Sequence, residues 1–417
     1  MIIVAYFLAF VALLLNGSLF VRLRPPWNFM AAAFQIVAVD FSPFLIIMGL
    51  AGAALGWLAE APVAVAAGLL AAAISAAYIY LVVAPQPSFE LAFGEDWKSK
   101  ILPAAEAHML KGLYNFGWPR TGEPRWERDV AFWTVPGTER KLLCDIWQPP
   151  EGVPHSGLAL VFLHGGAWWI LDKDFGTRPL FRHLAAQGHV IMDVAYRLCP
   201  EVDIHGMLGD VKRAVAWMKQ NAGRYEVNPE RVVLGGGSAG GHLALLAAYT
   251  PDDAAFNPSD VAGQDLSVRG VISLYGPTDL HACYLHFDQT RVAGLPKIEV
   301  GLPEAAEMKK TMTDAGRLDT LLGGHLHEVP EAYEMASPVT HVRKGCPPTL
   351  LIQGEPDVIQ PAPATRVMYL KLVACGTPAV NIIYPLTNHA FDLLLPQVSP
   401  PAHAALYYIE RFLALMT

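Results

Sequence analysis

Residues 231–241, with the sequence RVVLGGGSAGG, decide the fold of this 417-residue chain. The first four residues form the kind of short apolar run that a buried strand shows, and a helical pattern begins at Gly240. Between the two lies Gly236-Gly237-Ser238-Ala239-Gly240, which satisfies the pattern G-x-S-x-G. Between a strand and a helix, this pattern predicts a tight elbow that pushes the Ser238 hydroxyl outward. The helix N-terminus beneath it favours developing negative charge.

Strand and helix patterns alternate around this elbow. A hairpin is predicted where 126–135 and 141–147 flank the turn Pro136-Gly137. The further predicted strands are 157–163, 189–195, 231–234, 270–275, 349–353 and 380–384. The predicted helices are 177–187, 205–222, 240–249, 362–375 and 402–416. This alternation predicts an α/β fold with a mostly parallel sheet and helices on both faces. Ligands of such a sheet bind at the carboxyl ends of its strands.

The stretch His164-Gly165-Gly166-Ala167-Trp168 directly follows one predicted strand. Two adjacent glycines at this point let backbone N–H groups approach a ligand closely. Acyl transfer needs such donors around its oxyanion. We therefore predict an oxyanion hole formed by the N–H groups of Gly165, Gly166 and Ala239. His164 is expected to brace the loop rather than to take part in the chemistry.

A serine hydroxyl is a weak nucleophile and needs a base that is oriented by an acid. The expected chain order after the serine is a carboxylate and then a histidine. Asp357 follows the predicted strand 349–353, and His389 follows the predicted strand 380–384. We predict that Asp357 orients His389 and that His389 takes the proton of Ser238. Glu355 and Asp392 are the rival carboxylates.

Three motifs together resemble the signatures of the hormone-sensitive-lipase-like esterases of the α/β-hydrolase fold. They are His164-Gly165-Gly166-Ala167-Trp168, Tyr196-Arg197-Leu198-Cys199-Pro200-Glu201 and Gly237-Ser238-Ala239-Gly240-Gly241. The resemblance spans about seventy per cent of the chain, from residue 126 onward. It implies hydrolysis of carboxylic esters without a metal or a cofactor. It also implies Ser238, His389 and Asp357 as the catalytic triad, with Gly165, Gly166 and Ala239 as the oxyanion hole.

Two positions depart from the family pattern. Gly237 stands where many members have Asp or Thr, and Gln353 stands where a histidine is frequent. Arg197 and Glu201, within the second motif, are expected to form an ion pair.

An amidase, a deacetylase or an acyltransferase would use the same triad, so these activities remain open. A non-catalytic hydrolase-like receptor is the alternative from another class of protein.

The N-terminal part differs in composition from the rest. Hydrophobic residues make up 53% of the whole chain and charged residues 16%. Only four charged side chains fall within the first 84 residues: Arg22, Arg24, Asp40 and Glu60. Apolar stretches at 1–21, 29–58 and 62–83 predict a transmembrane anchor of about three helices over residues 1–84. The second stretch is either one tilted span or a shorter span led by an interfacial segment, with a kink at Pro43.

The placement of Lys and Arg predicts the orientation of this anchor. Arg22 and Arg24 follow the first stretch, and three lysines follow the third: Lys98, Lys100 and Lys111. The positive-inside rule then predicts a multi-pass membrane protein with a cytoplasmic catalytic domain. A cleaved signal peptide over residues 1–21 is the alternative, but the basic start and small-residue cleavage site are missing. Asp40 is expected to mark a helix end or an interface.

The remaining segments complete the predicted organisation. Residues 85–125 are a linker, a cap or a membrane-surface segment, and 96–113 could form an amphipathic helix there. The catalytic domain spans 126–417, and a cap insertion is expected at about 280–345 because the gap between two strands is too long for a plain crossover. Anchor and cap together suggest a lipophilic ester that arrives from the lipid bilayer. The net charge of −8 and the absence of a basic block argue against a nucleic-acid partner.

Overall fold

A computed structural model of the chain describes residues 1–22, 28–101, 103–289 and 316–417. Its strands are β1 Arg125–Thr134, β2 Lys141–Gln148, β3 Ala159–Leu163, β4 Val190–Val194, β5 Val232–Gly237, β6 Gly270–Leu274, β7 Thr349–Gly354 and β8 Ala379–Tyr384. Its first helices are α1 Ile2–Ser18, α2 Asn28–Asp40, α3 Ser42–Leu58, α4 Pro62–Val82, α5 Ser88–Phe93, α6 Pro103–Glu106 and α7 Arg178–Ala185. The later helices are α8 Ile204–Gln220, α9 Ala239–Tyr249, α10 Leu280–Gln289, α11 Gly316–Leu322, α12 Pro330–Met335, α13 Ala362–Ala374 and α14 Pro400–Met416.

The described strands form one sheet in the order β1-β2-β4-β3-β5-β6-β7-β8. β2 pairs antiparallel with both β1 and β4, and all other pairs are parallel. The predicted hairpin, the predicted strands and the mostly parallel sheet are therefore confirmed. Parallel strands end at the same edge of a sheet, so the residues after β3, β5, β7 and β8 are brought close together.

Both faces of the sheet are covered. On β3, Val161 and Leu163 point into one apolar core, which α8 and α9 close. Leu160 and Phe162, the alternate residues, point into a second core that α7, α14 and the N-terminal helices close. This burial on both faces explains why the strands read as continuous apolar runs.

The N-terminal helices pack through small residues. A Cβ atom on Gly49 of α3 would lie 2.6 Å from the carbonyl oxygen of Gly68 in α4. A Cβ atom on Gly52 would lie 2.7 Å from the backbone nitrogen of Ala9 in α1. Such close backbone approach is common between helices in membranes, where small residues line the contacts.

Helix length supports fewer spans than the three predicted. In the described part of the chain, Pro62–Val82 alone is long and apolar enough to cross a bilayer. The predicted second span is broken, because α2 and α3 meet at a bend of 78° next to Phe41. α2 and α3 could cross the bilayer a second time only if the pair is one broken span. With 17 residues, α1 is shorter than the helices that can cross a bilayer alone. Helices of this kind also occur in soluble cores, so a three-span anchor is not supported by length.

The segment after α4 differs from one of its predicted forms. No amphipathic helix covers the described residues between 96 and 113, where only the four-residue α6 and a short 3₁₀ turn form. The segment instead packs against the last helix of the chain, since Phe89 stacks on Tyr408 at 5.8 Å and the backbone N–H of Leu110 donates to Glu410 Oε1 at 2.7 Å. Asp40, in contrast, ends α2 as expected.

Two predicted features lie partly outside the described residues. The predicted cap at about 280–345 is described only at its two ends, by α10 and by α11 and α12. Its middle, residues 290–315, lies outside the described residues, and so does Arg24, on which the predicted orientation partly depends.

The close contact of α3 and α4 predicts a sensitive position. Gly49→Ala would place its methyl group against the Gly68 carbonyl, so the helices must separate, and we expect a loss of about 1–3 kcal/mol in the free energy of unfolding. Gly17→Ala is the matched control, because a Cβ atom at Gly17 has no atom within 4 Å. Thermal unfolding of both variants in detergent measures the difference. An equal melting temperature for both variants would contradict the described packing.

Candidate active site

Ser238 occupies the predicted elbow between β5 and α9. Its backbone has φ +53° and ψ −123°, a conformation that residues with a side chain rarely adopt. The Ser238 N–H donates to the carbonyl oxygen of Leu274 at the end of β6, at 2.9 Å. The neighbouring strand therefore holds the strained residue in place, and the serine side chain remains partly exposed.

The flanking glycines are required by the tight approach of three chain segments. A Cβ atom on Gly236 would lie 2.7 Å from the Leu163 carbonyl oxygen and 2.5 Å from the backbone carbon of Gly240. A Cβ atom on Gly240 would collide with the same carbonyl. A larger residue at either position would push α9 away from β3 and thereby displace Ser238.

The structure brings Ser238, His389 and Asp357 together. His389 Nε2 lies 2.9 Å from Ser238 Oγ, and His389 Nδ1 lies 2.8 Å from Asp357 Oδ2. His389 and Asp357 are buried. An ionised carboxylate only accepts hydrogen bonds, so its contact with Nδ1 places a proton there. Nε2 is then left to accept a hydrogen bond from the serine hydroxyl.

Four donors surround the Asp357 carboxylate. His389 Nδ1 and Gln353 Nε2 donate to Oδ2, both at 2.8 Å. The backbone N–H groups of Ile359 and Gln360 donate to Oδ1 at 2.7 and 2.9 Å. These bonds fix the plane of the carboxylate and its direction toward His389. Gln353, noted in the sequence as a departure from the family pattern, therefore has an orienting contact in place of the frequent histidine.

The predicted oxyanion loop lies directly against the nucleophile. A Cβ atom on Gly165 would be 3.3 Å from the Cβ atom of Ser238, and one on Gly166, with φ +114°, would collide with the Ile170 carbonyl. Among the described residues, none accepts a hydrogen bond from the backbone N–H of Gly165, Gly166 or Ala239. The predicted oxyanion hole therefore stays a prediction, and the close approach of Gly165 to Ser238 is consistent with it.

Buried histidines brace this loop. His164 Nδ1 contacts its neighbour's carbonyl oxygen at 2.7 Å, and its ring stacks on Tyr196, whose hydroxyl donates to the His164 carbonyl at 2.8 Å. Burial lowers the pKa of His164. Trp168 Nε1 donates to His242 Nδ1 at 3.2 Å, and burial lowers the pKa of His242 to about 4. Neutral rings are therefore the packing partners here, in agreement with the bracing role expected for His164.

In the described part of the chain, neither rival carboxylate forms a hydrogen bond with His389. Glu355 is exposed. Asp392 is partly buried and accepts a hydrogen bond from the hydroxyl of Tyr275, and the loss of water around its carboxyl group raises the pKa of that group. Tyr275 packs edge-on against the His389 ring, with centroids 4.6 Å apart. Sequence reasoning missed Tyr275, although its position just after β6 places it at the same edge of the sheet.

Tyr275 also accounts for the departure at Gly237. A Cβ atom there would lie 3.1 Å from the Tyr275 hydroxyl oxygen, so the aromatic ring fills the space that a side chain at position 237 would take.

The predicted ion pair between Arg197 and Glu201 was wrong. Arg197 donates two hydrogen bonds to Asp210, at 2.8 and 2.7 Å, whereas Glu201 pairs with Arg140 at 2.5 Å.

The comparison with known proteins follows this geometry. Residues 144–372, more than half of the chain, match the BD-FAE family. The chain belongs to the BD-FAE family, a hormone-sensitive-lipase-like family of α/β-hydrolases. The match begins within β2 and ends within α13, so it contains Ser238 and Asp357 but stops before His389.

Curated relatives and solved structures agree with this membership. The chain is 33% identical over 274 residues to the probable carboxylic ester hydrolase LipM of Mycobacterium tuberculosis. This match covers 65% of this chain and 57% of LipM. The chain is 28% identical to the esterase LipQ of the same organism, over 72% of this chain and 68% of LipQ. A thermophilic esterase of Thermogutta terrifontis, solved with butyrate bound, has a similar fold at 22% identity, with a TM-score of 0.52 over 71% of this chain and 95% of that one. The chain spans only part of the length of these curated esterases, between 57% and 68%. The solved structure shows that the fold is shared.

The carboxylate contacts predict which acid matters. Asp357→Asn should lower kcat/KM on a p-nitrophenyl ester on the order of 10³–10⁴-fold, because the amide cannot hold the same His389 tautomer. Glu355→Gln and Asp392→Asn are the matched controls, and we expect losses below about tenfold because neither contacts the ring nitrogens. Steady-state kinetics of the three variants decide the assignment. A larger loss in Asp392→Asn than in Asp357→Asn would reverse it.

Proposed function

We propose that the protein is a serine hydrolase that cleaves carboxylic esters through an acyl-enzyme intermediate. The observation that carries the proposal is the 2.9 Å contact between Ser238 Oγ and His389 Nε2, with Asp357 on the other ring nitrogen. Nucleophile, base and orienting acid within hydrogen-bond reach are the arrangement that nucleophilic catalysis requires.

The proposed reaction has two halves. Ser238 Oγ attacks the ester carbonyl carbon while His389 Nε2 takes the hydroxyl proton, and the N–H groups of Gly165, Gly166 and Ala239 stabilise the oxyanion. The bond to the alcohol oxygen then breaks, and His389 returns its proton to that oxygen. Water attacks the acyl carbon in the second half, its proton passing through His389 to Ser238 Oγ as the carboxylic acid leaves. Every proton is therefore carried by His389.

We further propose that the N-terminal helices associate with a lipid bilayer and that the catalytic domain lies on the cytoplasmic side. Large apolar side chains are exposed on all four of these helices: Ile3, Phe7, Phe10, Leu14, Met30, Phe34, Ile47, Leu50, Trp57, Leu58, Val63, Leu69 and Leu70. An apolar surface of this size is costly in water and is typical of a contact with a membrane or a protein partner.

Lipophilic esters are the proposed substrates. Phe116, Phe175 and Leu393 to Leu395 are exposed, and we call these residues the apolar rim. The three leucines lie in the loop that carries His389, and a Cβ atom on Gly176, next to Phe175, would be 3.4 Å from Leu393. The rim continues onto the N-terminal helices, because the rings of Phe116 and Phe44 have centroids 5.9 Å apart. Phe44 lies in the first turn of α3, so Phe116 contacts the N-terminal end of that helix. A bilayer around the helices would then meet the rim and supply substrate beside Ser238.

Hydrolysis of p-nitrophenyl esters from acetate to palmitate tests the proposed activity. The detergent-purified full chain should hydrolyse part of this series, and Ser238→Ala should lower kcat/KM by at least about 10³-fold, because the nucleophile is lost. Thermal unfolding of both proteins controls for folding. Failure of the wild type on all esters, or activity that survives in Ser238→Ala, would contradict the proposal.

The role of the rim is tested by separating soluble from lipid-dissolved substrates. Leu394→Ser/Leu395→Ser should lower kcat/KM about tenfold or more on an ester dissolved in phosphatidylcholine vesicles, since burying a leucine contributes roughly 1.5–3 kcal/mol. Activity on soluble p-nitrophenyl acetate should stay within about twofold.

The matched control is Val367→Ser/Leu370→Ser. These leucine and valine side chains are similarly exposed on α13, which packs on the opposite face of the sheet from the N-terminal helices. Equal effects of both double variants on the vesicle substrate would refute the proposed role of the rim.

A further inference from the structure

A buried amide in α2 connects the N-terminal helices to the His389 loop. Gln35 is only 3% exposed. Its Nε2 donates to the carbonyl oxygens of Ser18, the last residue of α1, and Val21, just beyond it, at 2.9 and 2.8 Å. Its Oε1 accepts a hydrogen bond from Asn388 Nδ2 at 2.8 Å. Gln35 therefore bridges the end of α1 and the residue that precedes His389.

Asn388 in turn connects the base and the acid. Its Oδ1 accepts from the backbone N–H of His389 at 2.8 Å and from that of Val358, next to Asp357, at 3.1 Å. One amide oxygen thus ties the loop of the histidine to the loop of the aspartate. Asn388 can do so only while its oxygen, and not its NH₂ group, faces these two donors.

The orientation of the Asn388 amide follows from a chain of donors and acceptors. Two carbonyl oxygens at the end of α1 can only accept, so they fix Nε2 of Gln35 toward themselves and Oε1 toward Asn388. Oε1 can only accept, so it fixes Nδ2 of Asn388. Reversal of either amide would set two like groups against each other in a buried site, which is costly.

Two further contacts hold the same loop against the N-terminal helices. The hydroxyl of Tyr78 in α4 lies 3.0 Å from Thr387 Oγ1, and Ser399 Oγ donates to Asp40 Oδ1 at 2.7 Å. The loop is therefore held on both sides of His389. A displacement of about 1 Å at a catalytic group can cost on the order of 100-fold in rate, so these contacts matter for catalysis.

We propose that Gln35 is a positioning residue for the His389–Asp357 pair, so that α2 helps to set the geometry of the catalytic base. This inference rests on the proposed function. Gln35 touches no reacting atom and acts through Asn388. The helices then have a second role besides membrane association, because the loop that carries the base is shaped by α2.

Gln35→Met in the full chain is the first test, because methionine keeps the volume and removes both polar atoms. On water-soluble p-nitrophenyl acetate in detergent, kcat per reactive serine should fall about tenfold while KM changes less than about twofold. Reactive serines are counted by titration with a p-nitrophenyl phosphonate. This count separates a displaced base from a smaller folded fraction.

In Gln35→Glu, the pH dependence of kcat per reactive serine distinguishes a positioning role from a purely structural one. Its protonated carboxyl group can donate to one α1 carbonyl and accept from Asn388, which mimics glutamine. The ionised form can only accept and repels both carbonyl oxygens. The ratio of variant to wild-type kcat per reactive serine should therefore be near one at low pH and fall as the pH rises.

Asn16→Leu is the matched control. Asn16 is another buried amide of the same helices, and it contacts Ala12, Ala71 and Ser75. Its substitution should lower the melting temperature and leave kcat per reactive serine unchanged. Tyr78→Phe, which removes one hydroxyl without a change in volume, should lower kcat per reactive serine by about twofold to fivefold.

The outcomes separate the two proposals. Wild-type values of kcat per reactive serine in Gln35→Met, or a pH-independent ratio in Gln35→Glu, would overturn the positioning role while the esterase activity stands. If Gln35→Met yields no reactive serine, the pH dependence of the Gln35→Glu ratio decides alone. A wild type without ester hydrolysis would instead refute the proposed function.

Discussion

The strained backbone of Ser238 is the constraint on which the rest of the site depends. A residue held at φ +53° costs about 1–3 kcal/mol, so its surroundings must over-determine it. The hydrogen bond to Leu274 and the approach of Gly236 and Gly240 to Leu163 do so. Three neighbouring strands thereby fix one hydroxyl, and the parallel sheet supplies the same edge for the histidine and the aspartate.

The base and the acid reach this hydroxyl on loops, and loops need support of their own. Asp357 is fixed by four donors, while the loop of His389 also depends on contacts with the N-terminal helices. Gln35, Tyr78 and Asp40 supply these contacts from the N-terminal helices. The apolar N-terminal segment therefore packs directly on the loop that carries His389. In this arrangement, the packing of the N-terminal helices and the geometry of the site are physically coupled.

Local patterns in the sequence predicted the sheet, the elbow and the residues that meet there, because strand periodicity and glycine spacing are properties of short segments. Contacts between distant segments were not predictable in this way. Arg197 forms its ion pair with Asp210, in the helix that follows, and not with the nearby Glu201. Gln35 forms a hydrogen bond with Asn388, which is 353 residues away in the sequence. The sequence predicted only a kink at Pro43 where the structure has a break at Phe41. Hydropathy gives the length of an apolar stretch but not the direction of the helices within it. Tertiary packing decides such features.

The central claim is that Ser238 is an activated nucleophile. The most direct measurement is mass spectrometry of the full chain after reaction with diethyl 4-nitrophenyl phosphate, a reagent that leaves a stable phosphoryl group on an activated serine. The account predicts one diethylphosphoryl group per chain, on the peptide that contains Ser238, and none on Ser238→Ala. No adduct, or an adduct on another residue that persists in Ser238→Ala, would contradict it.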